Sequence, residues 1–138
     1  MKISTRLRYG LRMLIDLALN QSSVPVKLKD ISRRQNISLN YLRQLIIPLE
    51  TAGFIRSVRG NKGGYVLKKP PRDINIQEIA AVLEGPFSLV DCVDNPRLCH
   101  QANACPTRNL WVDVSQKIRN TLSEKTLEDL LQEGGSLN

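Results

Sequence analysis

Residues 54–67 limit the possible fold more than any other stretch. Phe54-Ile55-Arg56-Ser57-Val58-Arg59 alternates apolar and polar side chains, Gly60-Asn61-Lys62-Gly63-Gly64 is a turn, and Tyr65-Val66-Leu67 reads as a returning strand. This is a β-hairpin with a glycine-rich tip. The chain before it has helical periodicity. Leu7, Leu11, Leu14 and Ala18 recur at helical offsets and predict an amphipathic helix over residues 5–20. Leu28 and Ile31 mark a short second helix ending near Asn36, a residue that tolerates the left-handed conformation. Ser38 offers an N-cap to a third helix that buries Leu42, Leu45, Ile46 and Leu49; Pro48 predicts a kink and Gly53 an end. Two short helices joined by a tight turn and followed by a hairpin make a winged helix-turn-helix. The expected class is mostly α with a small β-hairpin wing, completed by a long dimerisation helix further on.

Winged helices also serve as protein-interaction modules, so charge has to choose between the two uses. Residues 1–72 hold fifteen Lys or Arg against Asp16, Asp30 and Glu50, a balance of +12, while residues 73–138 hold five basic against ten acidic side chains, a balance of −5. Such a split points the first part at a polyanion and gives the second different work. Two segments follow: a DNA-binding domain over 1–72, and a cysteine-bearing loop with dimerisation helices over 73–138. Asn40, Tyr41, Arg43 and Gln44 lie near the start of the third helix, the part that reaches base edges in such proteins. Arg43 suits guanine and Gln44 adenine. Ser38 belongs to the same end of the helix, and Arg33 and Arg34 are expected to anchor phosphates. At the wing tip Gly60, Gly63 and Gly64 let backbone amides approach phosphates, with Arg59 and Lys62 supplying charge.

All three cysteines, Cys92, Cys99 and Cys105, fall in one C-x6-C-x5-C segment broken by Pro96 and Pro106. The prolines rule out one buried helical stripe, and the polar neighbours argue against a core strand. Three thiols in one loop read as ligands of a single metal centre, zinc or iron–sulfur, with a fourth position to fill; the alternative is three reduced thiols packed as small hydrophobes. Asn75 and Glu78 predict a capped helix over 76–83, stopped by Gly85 and Pro86. Beyond the loop, Leu110, Trp111, Val114, Ile118 and Leu122 form an apolar stripe that either seeks a partner or folds back on its own core. Leu127, Leu130 and Leu131 predict a short last helix, with fraying expected over 134–138.

The segments MKISTRLRYGLRML, ISLNYLRQLIIPLETAGFIRSVRGNKGGYVL and EIAAVLEGP, together with the cysteine triplet, resemble the IscR-type iron–sulfur cluster regulators, a family of winged helix-turn-helix transcription factors. The similarity covers nearly the whole chain, and the RSVRG-x-x-GGY wing with the triplet is its most specific part. The resemblance implies a homodimeric repressor of double-stranded, palindromic operators that binds a 2Fe-2S cluster and governs cluster-assembly genes. A 4Fe-4S cluster or zinc are the alternatives, and related regulators sense nitric oxide or control cysteine metabolism. It also implies Cys92, Cys99 and Cys105 as ligands, although the first interval here is one residue longer. The family's histidine ligand falls at Arg108, and the carboxylate of the nitric-oxide sensors falls at Arg8. His100, a carboxylate or a non-protein group is left for the fourth position. Where the family's reading helix has a glutamate, this chain has Arg43, which opens the question of site preference.

Other classes find little support. His100 has no Ser or Cys partner arrangement, and the GNKGG run tips a hairpin rather than leading a helix, so an enzyme is not expected. No stretch approaches the roughly 20 apolar residues of a membrane span. Arg6, Arg8 and Arg12 interrupt any signal-peptide core, and an odd cysteine count fits the reducing cytoplasm.

Overall fold

The computed structural model describes residues 2–134; of the expected frayed tail, residues 135–138 lie outside the described residues. Ser4 opens the first helix, α1 (Thr5–Asn20), by accepting the Leu7 backbone N–H on its hydroxyl at 3.2 Å. Leu7, Gly10, Met13, Leu14 and Leu17 are the apolar residues it buries. The buried face is therefore rotated from the expected line, and Leu11 and Ala18 lie half-buried beside it. The second helix, α2 (Leu28–Gln35), ends at Asn36, whose φ of 53° and ψ of 47° are left-handed as its residue type predicts. The chain then enters α3 (Leu39–Thr51), where Ser38 Oγ accepts the Tyr41 N–H at 3.1 Å. This helix buries Leu42, Leu45, Ile46 and Leu49 and runs through Pro48 to Thr51.

The wing consists of β1 (Ile55–Val58) and β2 (Gly64–Leu67), antiparallel with Ile55 opposite Leu67 and Val58 opposite Gly64. Its paired glycines have a packing cause that the sequence reading did not assign. A Cβ on Gly63 would lie 2.2 Å from the Val58 carbonyl oxygen, and one on Gly64 would lie 2.4 Å from that of Val26. The second approach belongs to a bridge: Val26 N–H donates to Tyr65 O at 3.0 Å, and Tyr65 N–H donates to Val26 O at 2.8 Å. The segment before α2 thus fastens the wing to the helices.

A 3-10 turn (Pro71–Asp73) leads to α4 (Ile76–Glu84), whose cap Asn75 accepts the Gln77 N–H at 2.8 Å and donates its amide to Ser123 O at 2.8 Å. Gly10 explains how tightly α4 meets α1, since a Cβ there would fall 2.3 Å from Leu83 Cδ1. A single turn, α5 (Asp91–Asp94), and a 3-10 turn (Pro96–Leu98) precede α6 (Arg108–Ser123) and α7 (Leu127–Gly134). Leu127 returns to the centre, its N–H donating to Ile74 O at 2.8 Å. The core is continuous: Leu7, Ile31, Leu45 and Ile55 share one cluster with Ile74, Ile79, Leu83 and Leu127. Residues on both sides of position 72 thus contribute to it. Among the described residues no helix is long and apolar enough to cross a membrane.

Candidate functional site

The outer side of α3 presents Asn40, Arg43 and Gln44, all exposed, with Arg43 Nη1 donating to Asn40 Oδ1 at 3.3 Å. Their exposure leaves them accessible, as a base-reading role requires. Tyr41 differs from them. It is half-buried, its ring edge-on to Tyr9 of α1 with centroids 5.8 Å apart and planes at 86°, so its aromatic surface goes into packing. At the wing tip Arg59, Gly60 and Lys62 are exposed, while Gly63 and Gly64 are partly covered. The Ser57 backbone N–H and hydroxyl donate to Glu50 Oε1 at 3.3 and 3.1 Å, tying the wing to the end of α3.

The two neighbouring arginines of α2 part company. Arg33 stays out, its side chain 76% exposed and only loosely paired with Asp30 at 3.3 Å. Arg34, expected to anchor phosphate, instead turns to Asp16, whose side chain is 2% exposed, with Nη2 donating to Oδ1 at 2.7 Å and Nε to Oδ2 at 3.0 Å. The physical reason is the buried carboxylate, which needs a cationic donor more than a solvated phosphate does. Hydrogen bonding to Asp16 raises Arg34 from the ordinary arginine value. The place of Asp16 among Met13, Leu14 and Leu17 was the available signal, since an acid on the apolar face of a helix demands a partner.

The cysteine segment lies between α4 and α6 and is laced to α6 by directional bonds. Arg108 Nε donates to Cys92 O at 3.0 Å, Arg119 Nε donates to Phe87 O at 3.1 Å, and Arg119 Nη2 donates to Asp94 Oδ1 at 2.9 Å. Leu89 N–H donates to Ser115 Oγ at 3.2 Å, which satisfies the one fully buried hydroxyl of α6. Arg108 thus latches the loop from the position where the resemblance implies a ligand. All three thiols are free, Cys99 exposed and Cys92 and Cys105 partly covered. Hydrogen bonds from the Thr107 hydroxyl and from the Thr107 and Arg108 amides hold the Cys105 thiol below its ordinary value.

Three thiolates suit an iron–sulfur or zinc centre in donor chemistry. Among the described residues, however, no three His, Cys, Asp or Glu side chains come close enough to share a metal ion. His100 is exposed and is not brought to the cysteines as a shared site. As folded here the triplet does not fit such a centre, because each thiol sits on a separate turn of the loop.

The apolar stripe of α6 splits between two environments. Leu110 and Trp111 are exposed, together with Val112, whereas Leu122 is half-buried against the core. Val114 and Ile118 line an open apolar groove of about 310 Å³ with Leu122.

A family profile described as "Rrf2: Iron-dependent Transcriptional regulator" matches residues 3–133. The protein rrf2 of Nitratidesulfovibrio vulgaris is 39% identical over 133 residues, covering 96% of this chain and 89% of its own. Among solved structures, CymR, the global cysteine regulator of B. subtilis, superposes with a TM-score of 0.80 at 40% identity, covering 96% of this chain and 98% of its own. IscR of T. potens superposes with a TM-score of 0.79 at 37% identity, covering 97% of this chain and 88% of its own.

Proposed function

The chain belongs to the Rrf2 family of transcriptional regulators, and on that premise we propose that it represses transcription by gripping a palindromic operator in double-stranded DNA as a homodimer. The observation that carries this reading is the juxtaposition of an exposed Asn40–Arg43–Gln44 helix face with a cationic wing on one rigid head. In the reading, α3 enters the major groove, Arg43 and Gln44 contact base edges, and Arg33, Arg59 and Lys62 hold phosphates. Ser38 contributes by fixing the first turn of that helix.

Pairing runs through α6 in this reading, with Leu110, Trp111, Val114, Ile118 and Leu122 meeting their copies. Surface area supports it. The chain exposes 8904 Å², against about 7,300 Å² expected for a compact monomer of this mass. The surplus of about 1,600 Å² per chain is about twice the roughly 800 Å² that one partner contributes to a standard-size interface.

The loop carrying Cys92, Cys99 and Cys105 is the control element, because it joins the head to the pairing helix. A change in the loop that favours one spacing of the two heads shifts the dimer by its differential affinity. As donors the thiolates suit a 2Fe-2S cluster, with a 4Fe-4S cluster or zinc as alternatives, provided the loop rearranges to bring them together; the resemblance to IscR-type regulators extends that reading to cluster-assembly genes. A second reading, control of cysteine metabolism by free thiols, is favoured by the failure of the thiols to converge and by the similarity to CymR.

Oxygen-free purification and metal analysis separate these readings. Visible charge-transfer absorption with iron and sulfide supports the cluster, a colourless zinc protein supports zinc, and metal-free protein that still binds DNA supports the second reading. Under every version, binding to duplex DNA weakens steeply with salt, by a log–log slope of about −7 if the dimer neutralises roughly eight phosphates. A flat salt response contradicts DNA binding.

A further inference from the structure

The structure assigns to Asp16 a positioning role in DNA recognition: from its buried site it takes Arg34 as a strut, keeps that cation off the phosphate backbone, and through it sets the turn into the reading helix. This rests on the DNA-binding reading above and adds to it a residue that touches no DNA.

The bonds around Asp16 are nearly complete. Oδ1 accepts from Arg34 Nη2 at 2.7 Å, and Oδ2 accepts from Arg34 Nε at 3.0 Å and from Gln35 Nε2 at 2.9 Å. Asn20 Nδ2 donates to the Asp16 backbone carbonyl at 2.8 Å. Arg34 and Gln35 are the last two residues of α2, immediately before the left-handed Asn36 that redirects the chain toward α3. The carboxylate on α1 therefore holds the end of α2 just where the helix-turn-helix angle is decided.

The network continues to the reading helix. Arg12, one turn earlier on α1, donates from Nε to Gln35 Oε1 at 3.3 Å and from Nη2 to the Gln35 carbonyl, placing a cation at the C-terminal end of α2. Its guanidinium carbon lies 5.3 Å from the centre of the Tyr9 ring, and that ring meets Tyr41 of α3 edge-on. Apolar contacts tolerate small slips between helices, but side-on arginine–carboxylate bonds fix both distance and angle. Asp16, Arg34, Gln35, Arg12, Tyr9 and Tyr41 thus span the three helices with directional contacts. Arg33, next in sequence to the strut, is left free for phosphate.

The test compares Asp16→Asn with wild type on a mixed-sequence duplex across a salt series. Neutralising residue 16 releases Arg34 in both subunits, so the expected result is a log affinity against log salt slope steeper by about 1.8, one extra phosphate contact from each. Binding to a selected operator should weaken at the same time, so that preference for the operator over mixed sequence falls about tenfold. The Asp16→Asn/Arg34→Gln double variant, which keeps a neutral hydrogen-bonded pair, should return the slope to that of wild type. A slope unchanged in Asp16→Asn, or one shallower than wild type by about 1.8 in the double variant, overturns the assignment. Wild-type protein supplies a readout that needs no variant: the Arg34 Nε–H resonance should exchange slowly with solvent and stay in place when duplex is added. An Arg34 signal that shifts on titration while that of Arg33 does not overturns it equally. Failure of wild type to bind any duplex would instead defeat the DNA-binding reading, leaving the protected Nε–H as evidence for the pairing.

Discussion

From α1 to β1 each element contributes side chains with almost no exposed surface, among them Leu14, Ile31, Leu42 and Ile55 at 0–1%. Between Pro86 and Thr107 only Ala102 is buried. The head is held by close-packed aliphatic volume, which resists change in every direction. The loop is held by a few hydrogen bonds donated by Arg108 and Arg119 and accepted by Ser115, which can be exchanged for others at low cost. A reader of DNA has to keep its helix fixed relative to its wing, and a control element has to be free to rearrange without unfolding that reader. On the proposed reading the two regions meet these demands because the head lies in the shared core and the loop lies outside it.

The sharpest way to break the contrast is to truncate one side chain in each region. Leu42→Ala, at a fully buried position, should cost about 2–5 kcal/mol in urea unfolding. Leu98→Ala, on a loop side chain 64% exposed, should stay within about 0.5 kcal/mol. Similar costs for the two would show that the loop is part of the packed structure.

A smaller effect tests how the wing is fastened. Gly64→Ala brings a Cβ against the Val26 carbonyl, a backbone atom that cannot swing aside, and should destabilise by about 1–3 kcal/mol. Loss of protection at the Val26 and Tyr65 amides should accompany it. If stability is unchanged, the wing is free to move and its glycines act only toward DNA.

Within the head, the reading helix and the wing should separate by kind of effect. Gln44→Ala should weaken binding by about 1–3 kcal/mol on one sequence and relax base choice there. Lys62→Ala should weaken all duplexes alike and lower the salt slope by about 2, one phosphate contact from each subunit. Equal loss of base preference from both would move sequence reading onto the wing. The smallest expected change is in Arg119→Met. This should alter unfolding by no more than about 0.5–1 kcal/mol while exposing the backbone around Phe87 and Asp94 to faster amide exchange.

Much of this organisation is legible along the chain because it rests on short-range rules. Ser38 and Asn75 cap as their side chains dictate, Asn36 takes the left-handed turn, and α1 spans residues 5–20 as its periodicity predicts. What stays hidden depends on contacts distant in sequence. Nothing near Arg34 reveals that Asp16, on the preceding helix, will claim it. The Gly64 requirement comes from Val26, which bridges Tyr65 across the wing. Tyr41 sits where base contacts are expected, and only the docking of α1 shows that Tyr9 occupies it. The cysteines illustrate the opposite limit. Their spacing suggests a shared site, but adjacency in sequence does not make side chains converge when prolines divide the segment into separate turns.

Repeated selection of bound duplexes from a random-sequence pool, followed by sequencing, tests the central claim most directly. Two heads joined through α6 should enrich a two-fold symmetric sequence whose half-sites lie about one helical turn, 34–36 Å, apart. Enrichment of a single unpaired half-site, or of no sequence, would contradict a paired reader of palindromic DNA.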